Sequence, residues 1–148
     1  MIERNILDEL KLQEVELNLF LKQLSKNDNK QIYEMLQKIE KNDNGFHNEV
    51  KDMPYEEYLF WIKKNEEYSK NIGLKDWMVP QTTFWLYKDD MPIGYGRIRH
   101  YLNEKLIKDS GHVGYAISSP YRGNGYRILF LKLLNDECIK LDIKRIQI

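Results

Sequence analysis

The chain has 148 residues with 42% hydrophobic content, which is one domain's length and enough apolar material for a core. Lys plus Arg and Asp plus Glu both number 23, so no global field draws nucleic acid or an anionic membrane, and no run reaches the ~18 apolar residues of a spanning helix. Cys138 is the only cysteine, which excludes an intrachain disulfide and a cysteine-built metal cluster.

The start, Met1 to Leu10, is acidic and interrupted, without the basic and apolar regions of a secretory leader. A cytoplasmic protein is expected. Residues 1–13 read as an N-terminal extension before a single domain over 14–148, with Ile6, Leu7 and Leu10 fitting a short amphipathic helix and Leu10 and Leu12 equally able to alternate as a strand. Val15, Leu17, Leu19 and Leu21 recur with a period of two and predict the first strand. Ser25 and Asp28 are capping-type residues, and Ile32, Met35, Leu36 and Ile39 then follow at helical spacing, so a helix is expected over 29–41.

Lys41 to Gly45 ends that helix with turn chemistry. Counted as a calcium loop it places Lys51 where the bidentate Glu is required, so calcium is excluded there. Asp52-Met53-Pro54 opens a second helix, with Glu56 and Glu57 at its positive end and Tyr55, Tyr58, Leu59, Ile62 and Ile72 on the side expected to be buried. The aromatics Tyr55, Tyr58, Phe60, Trp61 and Tyr68 pack this helix, or, as the family resemblance given below implies, wall an acceptor groove. Thr82 to Tyr87 and Ile93 to Tyr101 are β-rich runs around a turn at residues 88–92 and predict a hairpin, and residues 103–110 read as a polar loop.

His112 to Ser118 is a short, mostly apolar strand that ends at Pro120, and residues 122–141 are helix-like, apolar nearly all round in their first half. Between them lies Arg122-Gly123-Asn124-Gly125-Tyr126-Arg127. Gly123 and Gly125 let the backbone curl its N–H groups toward one point, the helix start adds unpaired N–H groups and a positive dipole end, and Arg122 and Arg127 flank the concavity. The turn therefore predicts a site for phosphate or pyrophosphate. Asp142 and Ile143 to Ile148 close the chain as a last strand.

The run Arg122-Gly123-Asn124-Gly125-Tyr126 after an apolar strand resembles the acyl-CoA pyrophosphate loop of the GNAT acetyltransferase superfamily, whose pattern is Gln or Arg, two residues, Gly, one residue, then Gly or Ala. Here the last small residue is Arg127, which adds a phosphate contact or crowds the cofactor. The stretch from Val79 to Ile148 also resembles one bacterial subgroup of that superfamily, through V-P-Q-T-T-F-W-L-Y, I-G-Y-G-R-I-R-H-Y-L-N and G-H-V-G-Y-A-I, and Asn44-Gly45-Phe46 is similar too. The resemblance implies an α/β fold of α+β layers, a central mixed sheet flanked by helices with one parallel crossover at the phosphate turn. It implies acetyl-CoA as cosubstrate and no metal, with Tyr115, Ala116 and Ile117 offering backbone groups to the pantetheine arm and Arg122, Gly123, Asn124, Gly125, Tyr126 and Arg127 holding the phosphates. Gly114 marks a β-bulge or a close approach of backbone.

Acyl transfer needs a deprotonated amine, so His112 and His100 are the candidate bases, with Glu104 behind them. Each is also a candidate for an ordinary packed histidine. Arg97 and Arg99 share a strand face and either bind a carboxylate-bearing acceptor or are solvated, the second being favoured. Family domains usually continue past the fifth strand with a helix and two strands, which the chain's end at Ile148 leaves out. That implies a bare edge at residues 144–148 and a homodimer through it, unless Ile6, Leu7 and Leu10 cover it. An N-acetyltransferase acting on a primary amine of unidentified identity is thus expected, and a non-catalytic acyl-CoA-binding module is the alternative. A dinucleotide-binding protein is disfavoured, because a single strand-helix-strand unit with no acidic ribose ligand is present.

Overall fold

The computed structural model describes residues 5–109 and 111–141, less the side chains at 15, 16, 108 and 109. The elements are α1 (Ile6–Leu17), β1 (Leu19–Gln23), α2 (Lys30–Leu36), β2 (Asn42–Asp43), β3 (Phe46–His47), α3 (Tyr55–Ser69), β4 (Gln81–Lys88), β5 (Met91–Arg99), α4 (Glu104–Asp109), β6 (Val113–Ile117) and α5 (Tyr126–Lys140), with a 3-10 turn over Ser119–Tyr121 before α5. Four strands form one sheet in the order β1-β4-β5-β6, antiparallel throughout, while β2 and β3 form a separate small hairpin. This is an α+β arrangement with helices on both faces of the sheet. The strand expected over 143–148, with the parallel crossover and the dimer edge that depend on it, lies outside the described residues.

The pleat sends alternate residues to two cores. Phe84 and Leu86 of β4, Ile98 of β5 and Val113 and Ile117 of β6 meet Leu129, Phe130, Leu134 and Cys138 of α5, with Leu10 and Leu17 of α1 packed alongside. Gly94 and Gly96 make room for α5, because a Cβ on either would lie 2.8 or 2.9 Å from the Phe130 ring. On the opposite face Trp85, Tyr95 and Ala116 meet Ile32, Met35, Leu36 and Ile39 of the α2 region and Tyr58, Trp61 and Ile62 of α3. Burial pushes the Cys138 thiol up to about 11, so Cys138 is a packing residue among leucines.

The helix expected over 29–41 ends at Leu36, and four further readings differ from the expectation, each for a local reason. The period-two run from Val15 is split: α1 continues to Leu17, Asn18 turns into the left-handed region at φ 51°, and only Leu19–Gln23 is strand. Leu10 and Leu17 lie two helical turns apart on one face, and this packing on α5 outweighs the alternation. The residues expected as a capping pair divide their work: Asn29 caps α2 through Gln31 N, while buried Asp28 accepts from Ser25 N at 2.8 Å and Trp85 Nε1 at 2.7 Å. On α3 the buried residues are Tyr58, Trp61, Ile62 and Asn65, whereas Leu59 and Ile72 are exposed. Residues 104–109 are helical and not a loop, started by Asn103, whose Oδ1 accepts from Leu106 N at 2.9 Å.

Candidate functional site

The site begins at β6. Arg99 N donates to His112 O and Ser118 N to Ile93 O, so the paired residues of β6 facing β5 are the even-numbered ones. Val113, Tyr115 and Ile117 consequently aim their N–H and C=O groups at the strand's other edge. Of the three residues expected to offer backbone groups, Tyr115 and Ile117 are on that edge, and Ala116 is committed to the ladder with Tyr95. The β5–β6 register runs without a shift, so Gly114 is not a bulge. Its reason is a close approach: a Cβ there would lie 2.6 Å from Cδ2 of the Phe46 ring. The irregularity in the sheet lies instead at Leu86/Tyr87.

Phe46 is brought to Gly114 by the β2–β3 hairpin. Asn44 and Gly45 have φ of 52° and 88°, the double positive φ of a tight two-residue hairpin turn, and Asn-Gly is the pair that tolerates it. Buried Asn48 fastens the hairpin to α2. Its Nδ2 donates to Leu36 O and Ile39 O at 2.9 and 3.0 Å, and its Oδ1 accepts from Val50 N. Phe46 then packs edge-on against Tyr95 at 4.8 Å between centroids, and Tyr95 continues through Trp61 and Trp85 into the core. Of the α3 aromatics, Tyr58 and Trp61 are buried in the core, Tyr55 packs against it and Phe60 is exposed, and none of Tyr55, Tyr58, Phe60, Trp61 and Tyr68 is among the described residues lining the groove.

At the other end of β6 the chain passes the 3-10 turn, where Ser119 N donates to Lys38 O, and enters the glycine turn. Gly123 and Gly125 have φ of 82° and 77°, and a Cβ added to either meets nothing within 4 Å. Backbone conformation, and not crowding, calls for glycine at both. Gly125 is the N-cap of α5, no side chain caps the helix, and Asn124 Nδ2 folds back to Tyr121 O at 3.2 Å. Arg122 differs from the expectation of an open phosphate contact. Its Nε donates to Ile117 O at 3.0 Å and it pairs with Asp43 at 3.3 Å, so it ties the end of β6 to the hairpin. Arg127 stands over the Tyr115 ring at 5.8 Å, beside the turn.

Between these parts runs a groove of about 1140 Å³. The glycine turn and the start of α5 close one end, β6 forms the floor, Phe46 and Leu131 supply apolar wall, and Arg97 and Arg99 line the far end. These two arginines are half-buried in the wall, and are not the solvated pair favoured from the sequence. Arg97 stacks on Phe46 at 5.0 Å, and Arg99 donates to Gly111 O at 3.0 Å. Burial first and the neighbouring Arg97 second push the Arg99 guanidinium down to about 10, still charged at neutral pH. Asp43 is the one carboxylate among the described lining residues, against Arg97, Arg99, Arg122 and Arg127, and it is paired with Arg122. The described lining of the groove is net positive.

Neither candidate base lines the groove, although His112 sits between the lining residues Gly111 and Val113. His100 bonds Thr82 Oγ1 through Nε2 at 2.7 Å and His112 continues the β6 register opposite Arg99; neither is among the described residues lining the groove. Since His100 follows Ile98 and His112 precedes Val113 by one, the pleat puts the two rings on opposite faces of the sheet. Burial holds both below the usual imidazole range. Among the described residues no three His, Cys, Asp or Glu side chains converge as metal ligands, and no helix is long and apolar enough to cross a membrane.

No family model, no curated protein and no solved structure matches the chain.

Proposed function

We propose that the chain is an acyl-CoA-dependent N-acyltransferase of the GNAT type, with acetyl-CoA as donor and a primary amine as acceptor. One observation carries this reading: the glycine turn, the uncapped start of α5 and the outward backbone edge of β6 open on the same positively charged groove. A pyrophosphate joined to an extended amide-bearing arm is the ligand chemistry that uses all three. The residues present fit such a group, since N–H groups at a helix start and arginines are donors to phosphate, and the space beside Gly123 and Gly125 is open.

Residues 123–127 would hold the phosphates, with Arg127 adding its charge from beside Tyr115. Tyr115 offers its N–H and C=O and Ile117 its N–H along the floor, the Ile117 carbonyl being held by Arg122, in the manner of a strand pairing with an amide-bearing chain. Phe46 and Leu131 limit water in the middle of the groove. Acyl-CoA supplies an activated thioester when bound. The absence of both histidines from the described lining favours a second reading, a module that binds acyl-CoA without turning it over.

Titration with coenzyme A by calorimetry, followed by a thiol-release assay with acetyl-CoA and a panel of primary amines, separates these. Binding with thiol release supports the enzyme. Binding with no release from any amine selects the binding module, and no binding at millimolar coenzyme A refutes both.

A further inference from the structure

Arg97 and Arg99 have a feature the phosphate end of the groove lacks. They are i, i+2 neighbours on one face of β5, so both guanidiniums leave the sheet on the same side, partly removed from water, and like charges there repel. Among the described residues no carboxylate pairs with either one. Fully buried Tyr95 has its hydroxyl against the Arg97 side chain, within electrostatic reach of Arg99 and of the Glu49 carboxylate. Two partly desolvated guanidiniums side by side are costly unless an anion meets them. Arg99 is held in place by Gly111 O and Arg97 by the Phe46 ring, so neither has to be ordered before it binds an anion.

We propose that Arg97 and Arg99 form a second anion subsite that takes a carboxylate, at the opposite end of the groove from the glycine turn. Arg97 is opposite Gly114 and Arg99 opposite His112, three and five residues from Ile117, which puts the subsite roughly 10 to 17 Å along β6 from the turn. A planar carboxylate matches the guanidinium fork, and the wall of Phe46 beside it suits a short aliphatic linker. Resting on the acyl-CoA reading, the inference narrows the substrate class. The reaction joins an amine and an acyl group of which one carries a free carboxylate, either an amino-acid-like acceptor or a dicarboxylic acyl chain.

The full chain is titrated by calorimetry with L-glutamate, with succinyl-CoA and with acetyl-CoA, and the titrations are repeated on Arg97→Gln and Arg99→Gln. L-Glutamine replaces glutamate as a neutral probe that needs no altered protein. Either glutamate binds at least 10-fold better than glutamine, or succinyl-CoA binds at least 10-fold better than acetyl-CoA. The first result places the carboxylate on the acceptor and the second places it on the acyl group. Whichever preference is found falls to within 2-fold in both variants, while acetyl-CoA affinity stays within 2-fold. Absence of both preferences in the unaltered chain, or a preference that survives both substitutions, overturns the subsite. Glutamate discrimination without binding of either CoA ester retains the subsite and retires the acyl-CoA reading.

Discussion

At Gly125 the backbone sits at φ 77° with open space where a Cβ would go, so the residue is chosen by conformation alone. Gly125→Ala should cost about 1 kcal/mol of stability, the typical cost of the left-handed region for an L-residue, measured as a shift of the urea midpoint at constant slope. The change also re-aims the N–H groups at the start of α5, so coenzyme A affinity should fall by about tenfold or more. Affinity unchanged alongside the stability loss would separate the turn from the site. Arg122 shows how a residue type can be legible and its role not. Its charge marks the turn, but the partners that capture it, Ile117 O and Asp43, depend on a hairpin 79 residues away in the chain.

The histidines give a pH prediction at the same scale. Both fold with imidazoles held below their ordinary value of 6.5 by burial, so between that value and the lowered one the unfolded chain binds more protons. Stability is then full above about 6.5, declines as pH falls toward the folded values, and levels off below them. The urea midpoint should be lower at pH 5 than at pH 7.5, and His100→Gln should reduce the difference. A midpoint that is flat or rises on acidification contradicts these assignments.

Among the elements, the β2–β3 hairpin matters most to the groove, although it has only two residues per strand. Asn48 holds it to the end of α2 through two donated bonds and one accepted bond, all buried. Asn48→Ala should cost about 3 kcal/mol, since it leaves buried carbonyls unmet, and Asn48→Asp should cost more, because a carboxylate then faces two carbonyl oxygens. Thermal unfolding of the two variants checks the order; an Asp variant as stable as the native chain would mean that the bonds to Leu36 and Ile39 are not formed. The sequence marks this segment as a turn through Asn44-Gly45. It does not mark that Phe46 then lands on Gly114, because that contact joins segments whose packing is set by Tyr95, Trp61 and Trp85. The β4–β5 hairpin, by contrast, was plain from its β-rich runs and tight turn. The boundary of α1 and β1 was hidden, since Leu17, Leu19 and Leu21 satisfy a strand pattern that α1 breaks at Asn18 by packing on α5.

At the scale of the whole molecule, the sheet separates two cores, and the groove opens where β6 meets α5 on one side and the hairpin on the other. The glycine turn was readable because its chemistry is local. Arg97 and Arg99 were ambiguous because strand alternation puts them on one face without saying what covers that face. Only the β5–β6 register and the seat of Phe46 turn that face into a groove wall. The account's central claim is that the turn, the start of α5 and the edge of β6 turned away from β5 receive one ligand. Backbone amide chemical shifts recorded on adding coenzyme A test it most directly. The largest changes are predicted at Gly123, Gly125, Tyr126 and Arg127, with further changes at Tyr115 and Ile117 and little change in α3. Saturating shifts confined to other surfaces, or no shifts at millimolar coenzyme A, would contradict it.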